Sequence, residues 1–211
     1  MIAPPTVPEL LRTYPVGPLI PIDAARGAVL ALVRGGRHGT EVLLIERTRR
    51  SDDPASGQVA LPGGTVNPDD ASLEATALRE CEEEVGIGAD DLAEPPHFVR
   101  VGRVFVHQLP IAIFLAPLRD GARPPRRASP DEVAETFWFP LRHLWPAQPA
   151  LVESQVGPRE VDATLYEGRV LWGFTRKSLV DIASLVPPER PHAARIRGPP
   201  APASVPSPER P

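Results

Sequence analysis

The chain has 211 residues, a formal net charge of −4 and 24% charged residues. This length favours one domain with a core of its own, and the negative charge without a long basic run excludes a dedicated nucleic-acid-binding surface. The 29 prolines are unevenly placed. They predict a proline-rich N-terminal arm over residues 1–22, a folded domain over 23–186 and a disordered proline-rich tail over 187–211.

The composition also bears on the cellular compartment. No apolar stretch reaches the ~20 residues that a membrane-spanning helix needs, and the first residues lack the layout of a signal peptide. The single cysteine, Cys81, leaves no partner for an intramolecular disulfide and is typical of a reducing cytoplasm. We therefore expect a cytoplasmic protein without a membrane partner. The arm, with a short amphipathic run over 8–14, would pack on the domain or on a partner subunit in a homodimer.

The first part of the domain predicts a hairpin and a glycine turn. Residues 24–33 and 41–46 are apolar enough to form buried strands, and a glycine-rich loop containing a solvated His38 separates them. A charged segment over 47–56 follows. It leads to Pro62-Gly63-Gly64, where bare backbone can approach a ligand closely.

A helix is predicted after the glycine turn, with Gly86 as its left-handed C-terminal cap. Glu80, Glu83 and Glu84 are spaced so that their carboxylates converge, and Mg²⁺ is a natural partner for such a group; a solvated acidic face is the alternative. Arg79 could fix one of these carboxylates with its guanidinium. Apolar residues at spacings of three and four predict the opposite, buried face, which comprises Ala71, Ala75, Leu78, Cys81 and Val85.

The second part of the chain predicts more strands and a last helix. Residues 98–107 and 111–115 form two strands, with His107 as a structural histidine or a catalytic group at a strand end. A basic loop over 119–130 leads to the segment 131–141. Two more strands, over 161–166 and 169–172, are joined by a tight turn at Glu167-Gly168. The last helix begins with Thr175 as its N-cap and buries Leu179, Ile182 and Leu185.

The segment 79–87, Arg-Glu-Cys-Glu-Glu-Glu-Val-Gly-Ile, resembles the second half of the Nudix hydrolase signature at every fixed position. The first half is out of register, since the glycine slot falls on Thr65 and the first glutamate slot on Ala71. One inserted loop residue restores the match, with Gly64 in the glycine role and Asp70 in the early acidic role. Asp69 is the alternative for that role. The chain is identified as a member of this family.

The resemblance implies a fold and a chemistry. The fold is α/β, an α/β/α sandwich around a mixed β-sheet. The reaction is the hydrolysis of a nucleoside diphosphate linked to another group, with Mg²⁺ or Mn²⁺ as cofactor and a nucleotide-containing small molecule as substrate. The metal ligands would be Glu80, Glu83, Glu84 and a carbonyl of Gly63 or Gly64.

The resemblance also implies roles for charged residues near these ligands. Arg79 would hold Glu83 or Glu84 in place. A glutamate would take the proton of the attacking water, either one on the helix or Glu132 of the segment 131–141, with Glu135 in reserve. The alternative for each of the latter two is a charge on an exposed strand edge.

The segment 43–64 resembles, incompletely, the additional motif of the coenzyme A pyrophosphatase branch. Arg47 fits its front, with Thr48 in a serine-or-alanine slot, and Gly57 fits its back. The second arginine slot falls on Asp52 or Asp53, where a carboxylate would repel a phosphate.

Guanidiniums suit phosphate oxygens, so we expect Arg47, Arg49 and Arg50 to contact the substrate beside Gly63. A mobile surface loop is the alternative for this segment. Coenzyme A or an acyl derivative is then the favoured substrate, and ADP-ribose, a dinucleotide or a nucleoside triphosphate are the competitors. A non-catalytic module that senses nucleotides is the alternative from another functional class.

Overall fold

The computed structural model describes residues 21–37, 39–51, 55–104, 109–154 and 157–186. The predictions for His38, Asp52, Asp53 and His107 lie outside these residues. So do those for the N-terminal arm up to residue 20 and for the tail from residue 187 onward.

A mixed sheet forms the centre of the fold. Its middle strand, β1 (Gly27–Gly36), pairs antiparallel with β2 (Gly39–Arg47) and parallel with β6 (Pro110–Pro117). The outer strands are β5 (His97–Arg103), antiparallel to β6, and β7 (Val133–Pro140), antiparallel to β2. The hairpin of β1 with β2 and the pairing of β5 with β6 confirm the strands predicted from the apolar runs.

The glycine turn fills a gap inside this sheet. β1 pairs with β2 only over 33–36, and two short strands occupy the remaining edges: β3 (Val59–Ala60) pairs with the end of β2, and β4 (Gly63–Thr65) with the beginning of β1. Gly63 has φ of +148°, and a side chain there would collide with the carbonyl of Ala28. Glycine is therefore required at the point where the chain turns into β4.

Helix α1 (Leu73–Val85) is bounded by two caps. Ser72 is the N-cap, and its hydroxyl accepts a hydrogen bond from the N–H of Ala75. Gly86 ends the helix with φ of 72°, which confirms the predicted left-handed cap.

Helix α2 (Gly173–Leu185) begins one turn earlier than predicted. Its N-cap is Trp172, so the prediction that Thr175 caps this helix was wrong. The hydroxyl of Thr175 donates instead to the carbonyl of Val59 at 2.9 Å, which ties the first turn of α2 to β3.

The two helices pack on opposite faces of the sheet, and each face has its own apolar cluster. One cluster contains Leu179, Ile182 and Leu185 of α2; the other contains Ala77, Cys81 and Val85 of α1. This arrangement confirms the predicted α/β/α sandwich and the buried face of α2.

The predicted apolar stripe of α1 was wrong in part. Ala71 is exposed and precedes the helix, and Ala75 and Leu78 are only half-buried. The stripe was placed opposite all three acids, but the buried face includes one of them. The buried residues of this helix are Thr76, Ala77, Cys81, Glu84 and Val85.

A second, antiparallel sheet contains β8 (Gln148–Val152), β9 (Arg159–Tyr166) and β10 (Arg169–Leu171). Glu167 and Gly168 both have positive φ, 48° and 78°, as a type I′ hairpin turn requires. The predicted hairpin is thus confirmed, whereas β8 had not been predicted.

Short 3₁₀ turns lie at Ile22–Ala24, Ala89–Asp91 and Leu141–Leu144. None of the helices in the described ranges has the length and apolarity that crossing a membrane demands.

Candidate functional site

The acids of α1 lie over the glycines of β4. A Cβ atom added to Gly64 would come within 2.5 Å of the carboxyl group of Glu80. The missing side chain therefore lets this carboxylate pack directly against the backbone of the glycine turn.

Arg79 joins the acids to the loop that precedes the helix. Its Nη1 lies 3.0 Å from Glu80 Oε1 and 3.0 Å from Glu83 Oε2, and its Nη2 donates to the carbonyl of Thr65 at 3.2 Å. The same guanidinium forms a two-pronged pair with Asp70, at 2.9 Å and 3.0 Å. Of the two acids that Arg79 was expected to hold, the described contacts include Glu83 and not Glu84.

Asp70 is an acceptor at the centre of this loop. Besides Arg79, it receives the hydroxyl of Thr76 and the N–H of Asn67, each at 2.8 Å. The hydrogen bonds from Arg79 hold the pKa of Asp70 well below its usual range. Asp70 is not the N-cap of α1, since Ser72 occupies that position. Asp69 is exposed, and its N–H donates to the side chain of Asn67.

Glu84 is the buried member of the acidic group, with only 2% of its surface exposed. Its Oε2 accepts the N–H of Gly63 at 2.9 Å. Burial raises the pKa of Glu84 to about 7, against the lowering effects of that hydrogen bond and of the charge on Arg47. Burial also raises the pKa of Glu80, and the negative charges of Glu83 and Glu132 act in the same direction.

Glu132 belongs to the same electrostatic group, since its charge raises the pKa of both Glu80 and Glu84. Its backbone is fixed by Thr48, whose N–H donates to the Glu132 carbonyl at 2.8 Å and whose hydroxyl donates to the Pro130 carbonyl at 3.0 Å. Glu135, the reserve candidate, forms an ion pair with Arg169 of the small sheet. The contact found for Glu135 is therefore with the small sheet and not with the acids of α1.

The three candidate arginines are not gathered at one point. Arg47 ends β2 and is near enough to Glu84 to lower its pKa. The side chain of Arg49 packs over Gly57, where an added Cβ would lie 3.3 Å from Arg49 Cγ. Arg50 donates its backbone N–H to the hydroxyl of Ser56 at 2.6 Å.

Arg49 lines a cavity of about 390 Å³ between the main sheet and the small sheet. Trp172, Gly57 and Arg169 also line it. Arg169 pairs with Glu46 of β2 and Glu135 of β7, so it closes the small sheet against the main one.

The donor atoms at the acids suit a hard divalent cation, which takes carboxylate and carbonyl oxygens. Within the described ranges, however, no three His, Cys, Asp or Glu side chains are already gathered as metal ligands. Arg79 forms ion pairs with Glu80 and Glu83 in this arrangement, while Glu84 accepts the N–H of Gly63. The fit to Mg²⁺ or Mn²⁺ therefore rests on the chemistry of the donor atoms, which are the carboxylate oxygens of α1 and the backbone carbonyls of Gly63 and Gly64.

Three features were missed by sequence reasoning. Asp70 and Arg79, which form an ion pair, are nine positions apart in the sequence, and the only signal for their contact was the position of Asp70 in the loop before the helix. The contact of Thr48 with the Glu132 segment joins residues 84 positions apart, for which no local signal exists. The burial of Glu84 could not be read from a helical pattern in which it belongs to the polar side.

Comparisons with known proteins agree with this architecture. The profile of the NUDIX domain matches residues 24–158. The uncharacterized Nudix hydrolase NudL of Citrobacter koseri is 35% identical over 182 residues, covering 83% of this chain and 88% of that protein. NudL of Salmonella paratyphi B is 37% identical over 134 residues, covering 61% of this chain and 66% of that protein.

A solved structure shows the same fold. The MutT/nudix family protein of Enterococcus faecalis superposes with a TM-score of 0.50 at 20% identity, covering 84% of this chain and 68% of that one.

The first prediction concerns Asp70. Asp70→Asn removes the carboxylate that receives Arg79, so the positions of Glu80 and Glu83 relax, and we expect a loss of kcat of roughly tenfold or more, as for other groups that orient ligands. Asp69→Asn is the matched control and should retain wild-type kcat. Equal activity in the two variants would show that the Asp70 pair does not position the acids.

The second prediction concerns Glu84 in the presence of a chelator. Because its folded pKa of about 7 lies above the unfolded value, the folded state binds the extra proton, and this contribution to stability is lost as the pH rises through about 7. Between about pH 4 and about pH 7, the wild-type free energy of unfolding should fall by roughly 2–3 kcal/mol relative to Glu84→Gln, measured by urea denaturation. The control is Glu82→Gln, at an exposed position of the same helix. Between the same two pH values, its free energy of unfolding should change as much as that of the wild type.

Proposed function

The chain belongs to the Nudix hydrolase family, enzymes that hydrolyse nucleoside diphosphate derivatives at an acid anhydride bond, and we propose that coenzyme A or an acyl-coenzyme A is its substrate. The observation that carries this proposal is the position of Arg49, which packs over Gly57 and lines the 390 Å³ cavity. A guanidinium there suits the additional phosphate of coenzyme A. Arg47, beside Glu84, then suits the diphosphate itself.

We assign the metal ligands to Glu80, Glu83 and Glu84, with a carbonyl of Gly63 or Gly64. Bound Mg²⁺ or Mn²⁺ would neutralise charge on the diphosphate and lower the pKa of a coordinated water. The ion pairs with Arg79 hold the carboxylates of Glu80 and Glu83 close to each other, in a position from which both could bind the metal. The like charges around buried Glu84 favour the arrival of a cation, because each acid disfavours the ionisation of its neighbours.

Glu132 is our candidate for the proton acceptor. Its backbone is held by Thr48, and its charge acts on Glu80 and Glu84. A carboxylate on a separate segment can approach the water from a different direction than the ligands on α1. The location that we propose is the cytoplasm, in keeping with the buried free thiol of Cys81.

The alternative substrates are ADP-ribose, a dinucleotide and a nucleoside triphosphate, and the alternative class is a nucleotide sensor without activity. The presence of Glu80, Glu83 and Glu84 at their signature positions favours the enzyme. The cavity that Arg49 lines favours a substrate with a bulky group beyond the diphosphate. Coenzyme A has such a group, whereas a nucleoside triphosphate does not.

The third prediction concerns the metal. Glu83 is exposed on α1, so Glu83→Gln should leave the melting temperature close to that of the wild type. We expect kcat to fall by roughly a hundredfold or more, as when a major electrostatic group is removed. Glu82→Gln serves as the control on the same helix. Turnover at the wild-type level in Glu83→Gln would remove this residue from the metal site.

The fourth prediction concerns the substrate. With Mg²⁺ or Mn²⁺ present, kcat/KM should be higher for coenzyme A than for 3′-dephospho-coenzyme A and ADP-ribose. Arg49→Met should abolish the preference for the 3′-phosphate by raising KM, since one charge-assisted contact contributes about 1.5–3 kcal/mol. Arg142→Met, at an exposed arginine of the Leu141–Leu144 turn, is the control.

If coenzyme A is no better than the other two substrates in wild type, the coenzyme A assignment fails and the general diphosphatase remains. If none of the three is cleaved, the hydrolase assignment is itself contradicted for this class of substrate.

A further inference from the structure

A second cavity, of about 520 Å³, lies where the loop after β6 faces the end of β1 and the middle of β2 and β7. Its lining combines flat, apolar and cationic groups. Leu43, Leu118 and Pro124 supply apolar surface, and Trp138 supplies an aromatic ring. The volume falls within the range of pockets that enclose small ligands.

This cavity is separate from the acids of α1. None of Glu80, Glu83, Glu84 and Glu132 lines it. The segment from 126 to 130 lies between its last lining residue on this loop, Pro125, and Glu132, and hydrogen bonds fix that segment at both ends. The N–H groups of Arg126 and Ala128 donate to the carbonyls of Val85 and Glu84, each at 3.0 Å, and Arg127 Nε donates to the carbonyl of Val133 at 2.7 Å.

The charged residues of the lining favour an anion, since three are guanidiniums and one, Asp120, is a carboxylate. Arg123 is oriented by buried Asp91, which it contacts at 2.6 Å. Arg119 Nε donates to the carbonyl of Asp90 at 2.6 Å. Among the described residues it has no carboxylate partner, so its positive charge is available to a ligand.

A planar cationic surface adjoins these groups. The guanidinium of Arg34 stacks over the ring of Trp138 at 3.9 Å, and a 2.8 Å ion pair with Glu41 holds it there. Guanidinium planes and indole rings both stack on flat aromatic groups. The lining thus combines a stacking surface for a ring with the guanidinium of Arg119 for an anion.

We infer that this cavity binds a nucleoside monophosphate, with the base against the Arg34–Trp138 stack and the phosphate on Arg119 and Arg123. The inference rests on the proposed function in one respect: nucleoside monophosphates are the class of product that hydrolysis of a nucleoside diphosphate derivative releases. The ligand would contact the loop directly before the segment that carries Glu132.

The test is the binding of adenosine 5′-monophosphate to the full chain, measured by titration calorimetry in the presence of a chelator. The double variant Arg34→Met, Arg119→Met should raise Kd at least tenfold, whereas Arg142→Met should leave it unchanged. Adenosine and inorganic phosphate should each bind at least tenfold more weakly than the nucleotide, because each lacks one of the two contacting parts.

If the double variant does not fold, the single variant Arg119→Met, which leaves the Arg34–Glu41 pair intact, tests whether Arg119 contributes to nucleotide binding. An unchanged Kd in Arg119→Met, with loss of binding in Arg49→Met, would assign the nucleotide to the other cavity and overturn the inference. Absence of binding to wild type would overturn it as well. Binding here together with inactivity on coenzyme A would contradict only the proposed substrate, so the two failures are distinguishable.

Discussion

The guanidinium of Arg79 provides the positive charge around which the acidic face of α1 is arranged. It contacts Asp70, Glu80 and Glu83 at about hydrogen-bond distance and also reaches the carbonyl of Thr65. Without this charge, acids at spacings of three and four would repel one another. Because the planar guanidinium presents its donors in a fixed geometry, it also sets where the loop before α1 lies against the helix. The pairing of β4 with β1 fixes the other side of this contact, because it places the backbone of Thr65 beside the helix.

Burial of Glu84 opposes stability, since a carboxylate loses its hydration in the interior. The N–H of Gly63 and the charge of Arg47 compensate this loss in part, and an apolar side chain of similar size would pack at less cost. The burial is imposed by geometry: the glycine turn fills the gap between β1 and β2, so its backbone reaches the helix face on which Glu84 lies. The burial of Glu84 therefore lowers the stability of the fold, and we infer that this carboxylate has a functional role.

Elements with a local cause could be predicted from the sequence. Gly86 ends α1 because a positive φ suits glycine, and Glu167-Gly168 turns tightly for the same reason. Thr175 was misassigned as the cap of α2 because side-chain type alone does not show which of several residues lies at a helix start. Ser72 caps α1, which releases Asp70 for Arg79. The contacts of Thr48 with the Glu132 segment depend on tertiary packing, which no periodicity encodes.

Thr48 connects the two functions that a diphosphatase must combine. It directly follows Arg47, which acts on Glu84, and directly precedes Arg49, which lines the cavity between the sheets. Its own N–H and hydroxyl hold the carbonyls of Glu132 and Pro130. Any shift of the arginine segment toward a phosphate would therefore pull on the backbone that carries Glu132. The proposed recognition of the substrate's phosphates by these arginines and the proposed role of Glu132 as proton acceptor are in this way joined through Thr48.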